Sequence, residues 1–259
     1  LGIRMTTGYS GTITKNNGVT MVIGLTGWFQ EAGTFVAGDA ALTLNGHFTL
    51  AGGTFTAGSV PMILNRDFAI SGGGTFTAGT STLSFDGAFG YPKNIRPNSA
   101  NFANVVFGST GSCYGIYDTL TGTMNAQNVT FSCGAPLIYG YYLISGTLNI
   151  SGNLTVSAPV LGTAQINMVG SGTLTGGGAT FTIPNLAINS PGGTIDLVGT
   201  IVSFGNYTYT AGTVNAGTST LIFSGENTFT NQITPGAGVT YNNVQIGSIG
   251  TCYGVTQKV

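Results

Sequence analysis

A four-residue motif recurs along almost the whole chain: Gly-Thr, then an apolar residue, then Thr, Asn, Asp or Val. Its nine copies begin at Gly11, Gly33, Gly53, Gly74, Gly122, Gly146, Gly172, Gly193 and Gly212. The intervals are 22, 20, 21, 48, 24, 26, 21 and 19 residues, and the longest equals two intervals of 24 with a degenerate copy between them. A fixed period of this length is typical of solenoid proteins, in which each repeat forms one coil.

The clearest copies align residue by residue, which distinguishes a structural repeat from a bias in composition. The aligned apolar positions are Leu42, Met62 and Leu83; Leu44, Leu64 and Phe85; Phe48, Phe68 and Phe89; and Phe35, Phe55 and Phe76. Apolar residues alternate with Thr, Ser or Ala in each short run, which predicts strands with one buried face. Asn45, Asn65 and Asp86 follow such runs at predicted corners, and no segment shows helical spacing with a capping residue.

These patterns predict an all-β fold, a single-stranded parallel β-helix or β-solenoid of about eleven coils with about 20 to 24 residues each. Right-handed coiling is the default for parallel crossovers. A β-sandwich would also contain short strands and Gly-rich turns, but it does not require identical columns at a fixed period. With coils ~4.8 Å apart, the rod would be on the order of 50 Å long.

The whole chain, residues 1–259, is predicted to form one continuous domain. Residues 74–115 resemble residues 212–254 at an offset of 138 rising to 139, which indicates an internal tandem duplication. Residues 91–104 contain Pro92, Lys93, Arg96 and Pro97, and we expect them to form a loop excursion from the stack. The chain begins with Leu1, which suggests a processed protein or a piece of a longer one, and either fits export.

Composition excludes several classes of protein. Charged residues make up 5% of the chain, against roughly 25% in ordinary globular proteins. Six Lys and Arg residues cannot build the basic face that nucleic-acid binding requires. No apolar run is long enough for a transmembrane segment. With 42% hydrophobic residues and a net charge of −1, the chain should fold rather than stay disordered.

Three cysteines bear on redox state. Cys113 and Cys133 lie 20 residues apart, about one coil, so their Cα atoms could come within disulfide range on adjacent rungs. Such a bridge would imply an oxidising compartment, and two buried thiols are the alternative. Cys252 occupies the position equivalent to Cys113, so it would meet a neighbouring subunit, pair beyond residue 259, or stay unpaired. Without a second His or an acidic cluster, the cysteines do not predict a metal site.

Catalytic residues are not predicted. Parallel β-helices often carry polysaccharide-active enzymes, whose candidates here are Asp39, Asp67 and Asp86 with Arg66 and His47. No pair of carboxylates recurs in one column, as glycoside hydrolysis would require, and His47 is the chain's only histidine. The sequence therefore favours a protein that is not an enzyme and has no cofactor.

A threonine column is predicted on the outer surface. Its members are Thr12, Thr34, Thr54, Thr75, Thr123, Thr147, Thr173, Thr194 and Thr213. A flat array of Thr is how solenoid ice-binding proteins present their surface, yet Thr is also a good strand former whose hydroxyls pair along a ladder. The tyrosines Tyr139, Tyr141 and Tyr142 could form an aromatic platform for a surface glycan or a partner protein, or be half-buried strand positions.

Longer repeats support one resemblance. Ala-Gly-Thr-Ser-Thr-Leu-x-Phe at 78–85 and 216–223 alternates with Asn-Val-x-Phe at 104–107 and Asn-Asn-Val-x-Ile at 242–246. This alternation resembles the Gly/Thr-rich repeats of large bacterial surface adhesins and extracellular filament proteins. The resemblance implies a solenoid stalk and a non-catalytic structural role at the cell surface. A phage or appendage fibre, a polysaccharide-active enzyme and an ice-binding solenoid are the alternatives.

Neither terminus supplies a helix or a charged plug. Because an open solenoid exposes unpaired strand edges at its ends, we expect those ends to be occupied by further coils or by other copies. The expected partners are thus the protein itself, end to end, or a continuation of a longer chain.

Overall fold

The structure is a computed structural model that describes residues 1–86, 91–112, 116–134, 141–224, 231–247 and 257–258. Within these residues the chain forms 28 β-strands and no helix. Strands of successive coils pair in parallel, and the predicted β-solenoid is confirmed. No helix in the described part of the chain is long and apolar enough to span a membrane.

The first four coils each contain three short strands of three to five residues. They are β1 (Ile3–Met5), β2 (Thr12–Thr14), β3 (Met21–Ile23), β4 (Trp28–Gln30), β5 (Thr34–Val36), β6 (Leu42–Leu44), β7 (Phe48–Leu50), β8 (Thr54–Thr56), β9 (Pro61–Leu64), β10 (Phe68–Ile70), β11 (Thr75–Thr77) and β12 (Thr82–Asp86). The predicted order of strand, corner, strand, corner, strand is therefore present in each of these coils.

The later coils are less uniform, and several strands run around a corner. They are β13 (Asn94–Arg96), β14 (Asn101–Ser112), β15 (Ile116–Leu120), β16 (Thr123–Gly134), β17 (Tyr141–Leu143), β18 (Thr147–Ile150), β19 (Leu154–Ser157), β20 (Val160–Gly162), β21 (Gln165–Met168), β22 (Gly172–Ile183), β23 (Asn185–Ser203), β24 (Tyr207–Asn215), β25 (Thr220–Phe223), β26 (Asn231–Thr234), β27 (Asn243–Ile246) and β28 (Gln257–Lys258).

Three sheets form the walls of the solenoid. The first runs β1-β4-β7-β10-β13-β15-β17-β20, and the second, limited to the first coils, runs β2-β5-β8-β11. Along the third wall, eleven strands stack in the order β3-β6-β9-β12-β14-β16-β19-β22-β23-β25-β27. Ten pairings join these eleven strands, so about ten turns separate the first from the last.

Like side chains lie over like side chains, as the repeat predicts. Leu42 pairs in register with Met62 and Met62 with Leu83, and all three are buried. The phenylalanine column contains Phe35, Phe55 and Phe76, with ring centroids 5.2 and 5.5 Å apart in stacked geometry. One continuous apolar core therefore fills the solenoid, since no coil can bury its inner face without its neighbours.

Residues 91–104 belong to the stack rather than to a loop outside it. Residues 94–96 form β13, which pairs with β10 on one side and β15 on the other. The loop-like composition instead marks a tight corner, in which the Ala100 N–H donates to Pro97 O at 3.0 Å. Asn98 and Ser99 adopt φ values of 50° and 58° there, in the left-handed region that non-glycine residues rarely occupy.

The internal duplication is visible as two equivalent strand pairs. In the first unit Leu83 pairs with Val105. In the second unit the equivalent residues, Leu221 and Val244, pair in the same register. This strand pairing is therefore the same in both units.

Candidate functional site at the ends of the solenoid

The coil that contains β27 leaves core positions uncovered. In the first unit Val105 and Phe107 are 1% and 0% exposed, because β16 lies over them and pairs Val129 with Val105. Their equivalents in β27, Val244 and Ile246, are 50% and 52% exposed. Among the described residues, β27 pairs with β25 alone, and β28 of the following coil pairs with β26, so no described strand covers Val244 and Ile246.

At the opposite end of the described solenoid, an edge strand also carries an exposed apolar residue. The edge strand β2 pairs with β5 alone, and its Ile13 opposes Phe35 at the foot of the phenylalanine column. Ile13 is 38% exposed, whereas Phe35 is fully buried. Both ends of the described solenoid therefore present a free strand edge beside an uncovered apolar column, the combination that pairs with another strand.

The threonine column lies on the outside, as expected, but it is not one continuous ladder. None of its nine members is buried. Thr12, Thr34, Thr54 and Thr75 oppose one another in turn, as do Thr123 with Thr147 and Thr194 with Thr213. Thr147, however, opposes Gln165, and Thr173 opposes Asp196. Coils of different lengths change the register, so the regular array that ice binding would use is interrupted.

An asparagine ladder lines a groove on the outer wall. Asn149 Nδ2 donates to Asn125 Oδ1 at 3.0 Å, and Asn167 Nδ2 donates to Asn149 Oδ1 at 2.9 Å. The groove has a volume of about 650 Å³ and is also lined by Asn101 and Gln127. Because these amides bond to one another from coil to coil, the ladder reinforces the stack. The ladder was not predicted from the sequence, although the spacing of its asparagines is visible there.

The predicted tyrosine cluster divides between the two sides of the wall. Tyr141 is fully buried, and Tyr142 lies outside, where its ring stacks on that of Tyr117 with centroids 4.3 Å apart. Tyr117 is one of the exposed aromatic residues. Tyr139 lies outside the described residues. The stacked aromatic pair on the outer surface therefore consists of Tyr117 and Tyr142, and glycan binding stays a prediction.

His47 and Asp67 are adjacent on neighbouring coils. Nδ1 of His47 lies 3.3 Å from Oδ2 of Asp67, and the Asn94 N–H donates to Oδ1 of Asp67 at 2.8 Å. Arg96 and Ser71 also line this groove, which has a volume of about 340 Å³. The pair is open to solvent, and no second carboxylate occurs among the described residues that line this groove.

The remaining acidic and basic candidates have local roles elsewhere. Oδ1 of Asp39 accepts the Gly18 N–H at 2.7 Å, and the Arg66 guanidinium lies over the ring of Tyr91 at 3.9 Å. Asp86 ends β12. The described residues contain no group of three or more His, Cys, Asp or Glu side chains that could hold a metal ion.

Cys133 is disulfide-bonded. The chain contains three cysteines, so the partner of Cys133 within the chain is Cys113 or Cys252, and both lie outside the described residues. The specific pairing of Cys113 with Cys133 and the state of Cys252 stay predictions.

A polar cluster inside the rod was not predicted from the sequence. Lys93, Asp118 and Tyr141 are buried in the core beside the first wall. Asp118 stands between Ile116 and Leu120 in β15, at an inward position that an apolar residue normally fills. That break in the alternation was the signal that could have revealed the cluster.

No protein-family model matches the chain, and no curated protein or solved structure matches it significantly. Function must therefore be argued from the geometry of the solenoid itself.

Proposed function

We propose that this chain is a structural unit of an extracellular filament or surface stalk, which lengthens by stacking coils end to end. One observation carries the proposal. Val105 and Phe107 are buried inside the rod, whereas their equivalents Val244 and Ile246 are half exposed at its end. The same strand pair occurs twice, once covered by a further coil and once uncovered.

The uncovered end fits one class of occupant, which is another coil of the same fold. β14, the equivalent of β27, is covered by the parallel strand β16, so a strand of the same kind would pair with the free edge of β27. Completing the burial of one half-exposed Val or Ile side chain contributes about 1 kcal/mol. Each new strand pairing also satisfies backbone N–H and C=O groups along the edge. The first coil of a second copy, with Ile13 at its apolar column, is the occupant we propose.

Two further features support an extracellular location. A disulfide at Cys133 is typical of proteins from oxidising compartments. The outer face consists largely of Thr, Ser, Asn and Gly with few charges, as in the surface-protein repeats that the sequence resembles. A passive, non-catalytic role is consistent with both.

The experiment compares end variants with matched lateral variants. Val244→Lys places a charge at one end, and Val198→Lys places the same charge at an equally exposed lateral position, since Val244 and Val198 are 50% and 48% exposed. Ile13→Lys and Ile144→Lys form the second pair, at 38% and 37% exposed. By light scattering and electron microscopy, we expect the end variants to lose assembly and the lateral variants to assemble like the unmodified chain.

A mixing experiment tests the polarity of stacking. Ile13→Lys blocks one end, and Val244→Lys blocks the other. An equimolar mixture should therefore form dimers through the two intact ends, and these dimers should not grow further. Head-to-tail contacts of this kind generate open filaments when both ends are intact. An unmodified chain that stays monomeric at high concentration with full β-structure would contradict the proposal.

A further inference from the structure

The buried cluster at the start of β13 places an amine directly against a carboxyl group. Lys93 and Asp118 oppose each other on adjacent coils, as the neighbouring pair Asn94 and Thr119 shows. Nζ of Lys93 lies 3.7 Å from Oδ1 of Asp118, and both side chains are 0% exposed. No described residue accepts a hydrogen bond from Nζ. An unsatisfied ammonium in an apolar core is costly, so the arrangement is a poor ion pair.

The surroundings of Asp118 differ at its two oxygens. Oδ1 accepts the backbone N–H of Lys93 at 2.9 Å, while Oδ2 accepts a short hydrogen bond from the Tyr141 hydroxyl. One oxygen is therefore held by a fixed backbone donor, and the other lies next to a hydroxyl that can pass it a proton. Tyr141 is fully buried, so water does not compete for this contact.

Burial favours the uncharged forms of both groups. Desolvation lowers the pKa of Lys93, against the opposing attraction of Asp118 and, at greater distance, Asp86 and Asp67. Desolvation also raises the pKa of Asp118, with Lys93 and the Tyr141 hydroxyl acting in the opposite direction. A neutral amine is a nucleophile, and a neutral carboxylic acid is the acyl donor that it can attack, whereas an ammonium has no free electron pair and a carboxylate resists attack.

We propose that Lys93 and Asp118 form an intramolecular isopeptide bond that links two neighbouring coils. Nζ attacks Cγ of Asp118, and the backbone N–H of Lys93 stabilises the negative charge that develops on Oδ1. The Tyr141 hydroxyl gives its proton to the hydroxyl at Oδ2, the Cγ–Oδ2 bond breaks, and water leaves. Nζ then returns a proton to Tyr141. The products are one amide and one water, with no change in oxidation state.

Proximity makes this condensation favourable where it is not favourable in water. Well-oriented intramolecular groups reach effective molarities of about 10⁵–10⁸ M, and the product removes two buried ionisable groups from the core. Residues 93 and 118 are 25 apart in sequence, so the bond closes one full coil covalently. A rod that carries load along its axis could then not unwind at this coil. The inference does not depend on end-to-end stacking.

Intact mass spectrometry of the reduced, denatured chain tests the proposal directly. We expect a mass lower than the sequence mass by one water, and a branched tryptic peptide that joins Lys93 to Asp118. Lys15 is the internal control, because it is also buried, yet its Nζ donates to Val19 O at 2.6 Å and Ala40 O at 2.9 Å. Trypsin should cut after Lys15 but not after Lys93.

Variants separate the roles of the three groups. Asp118→Ala should retain its full mass, and Asp118→Asn should form the same amide with loss of ammonia. Tyr141→Phe should slow bond formation by roughly 100-fold or more, the usual contribution of a positioned proton donor. The full sequence mass in the unmodified chain after prolonged storage, cleavage after Lys93, or a water loss that maps to another residue would each overturn the proposal, whether or not the variants fold.

Discussion

The phenylalanine column allows a quantitative test of stacking through the substitution Phe55→Ala. Phe55 is fully buried, with its ring stacked between Phe35 at 5.2 Å and Phe76 at 5.5 Å. Edge contacts to Trp28 at 5.3 Å and Phe48 at 5.1 Å complete its surroundings. Truncation of such a ring to Ala costs about 3–5 kcal/mol in unfolding free energy, because a cavity remains where the coils cannot collapse.

Phe29 provides the control in the neighbouring first wall, on its outer side. It is half-buried in β4, with the Arg4 guanidinium 5.0 Å from its ring centroid. Phe29→Ala removes a ring of the same size but leaves no cavity in the core, so we expect a loss of about 1–2 kcal/mol. The difference between the two variants isolates the contribution of the inner column.

Urea unfolding followed by tryptophan fluorescence measures the effect locally. Trp28 is the chain's only tryptophan and touches Phe55, so its signal reports the first coils, while far-ultraviolet circular dichroism reports the whole rod. With a urea m-value of about 2–3 kcal/mol/M, Phe55→Ala should lower the fluorescence midpoint by about 1–2 M. Because solenoid stability is carried by nearest-neighbour contacts, the dichroism midpoint should move less. Equal fluorescence shifts in Phe55→Ala and Phe29→Ala would refute the stacking argument.

Two further predictions concern the corners and the buried tyrosines. Gly53 and Gly122 both have positive φ, at 71° and 81°, but an added Cβ would lie 2.3 Å from Gly33 O at Gly53 and would meet no atom within 4 Å at Gly122. In thermal unfolding, Gly53→Ala should therefore lower the free energy of unfolding by several kcal/mol and Gly122→Ala by about 1 kcal/mol. Equal losses would show that the close approach of the neighbouring coil is not the reason that glycine is required at position 53. Burial raises the pKa of Tyr207 and Tyr241, so the folded state keeps protons that the unfolded state releases. The contribution of both tyrosines to stability should be complete below pH ~10 and should decline as the pH rises above it. The unfolding midpoint should therefore fall with pH in this range, and Tyr207→Phe should make that fall smaller. The same dependence of the midpoint on pH in Tyr207→Phe and in the unmodified chain would contradict this prediction.

The repeat determined most of the fold because the interactions that form it are regular. Strand alternation, glycine corners and a period near one coil were sufficient to place Leu42 over Met62 and Phe35 over Phe55. These predictions depend only on residues one coil apart occupying equivalent positions, and that information is present in the sequence.

The sequence did not predict which residues pair between neighbouring coils where the length of the coil changes. Hydrogen-bonded ladder residues are 18 apart at Asn167 and Asn149 but 26 apart at Gln232 and Asn206. A motif count cannot tell which residues of a longer coil leave the stack. The threonine column is interrupted for this reason, and residues 91–104 were expected outside the stack although β13 lies within it.

Tertiary structure alone decided which groups meet and which remain uncovered. Asp118 interrupts the apolar alternation of β15, but only the stacking of two coils brings Lys93 to within 3.7 Å of it in the core. Val105 and Val244 occupy equivalent positions in the duplication, yet one is buried and the other exposed, because burial depends on the coil above. The sequence by itself determined the shape of each coil, whereas contacts across coils and at the ends determined its chemistry, since burial and proximity are properties of the assembled stack.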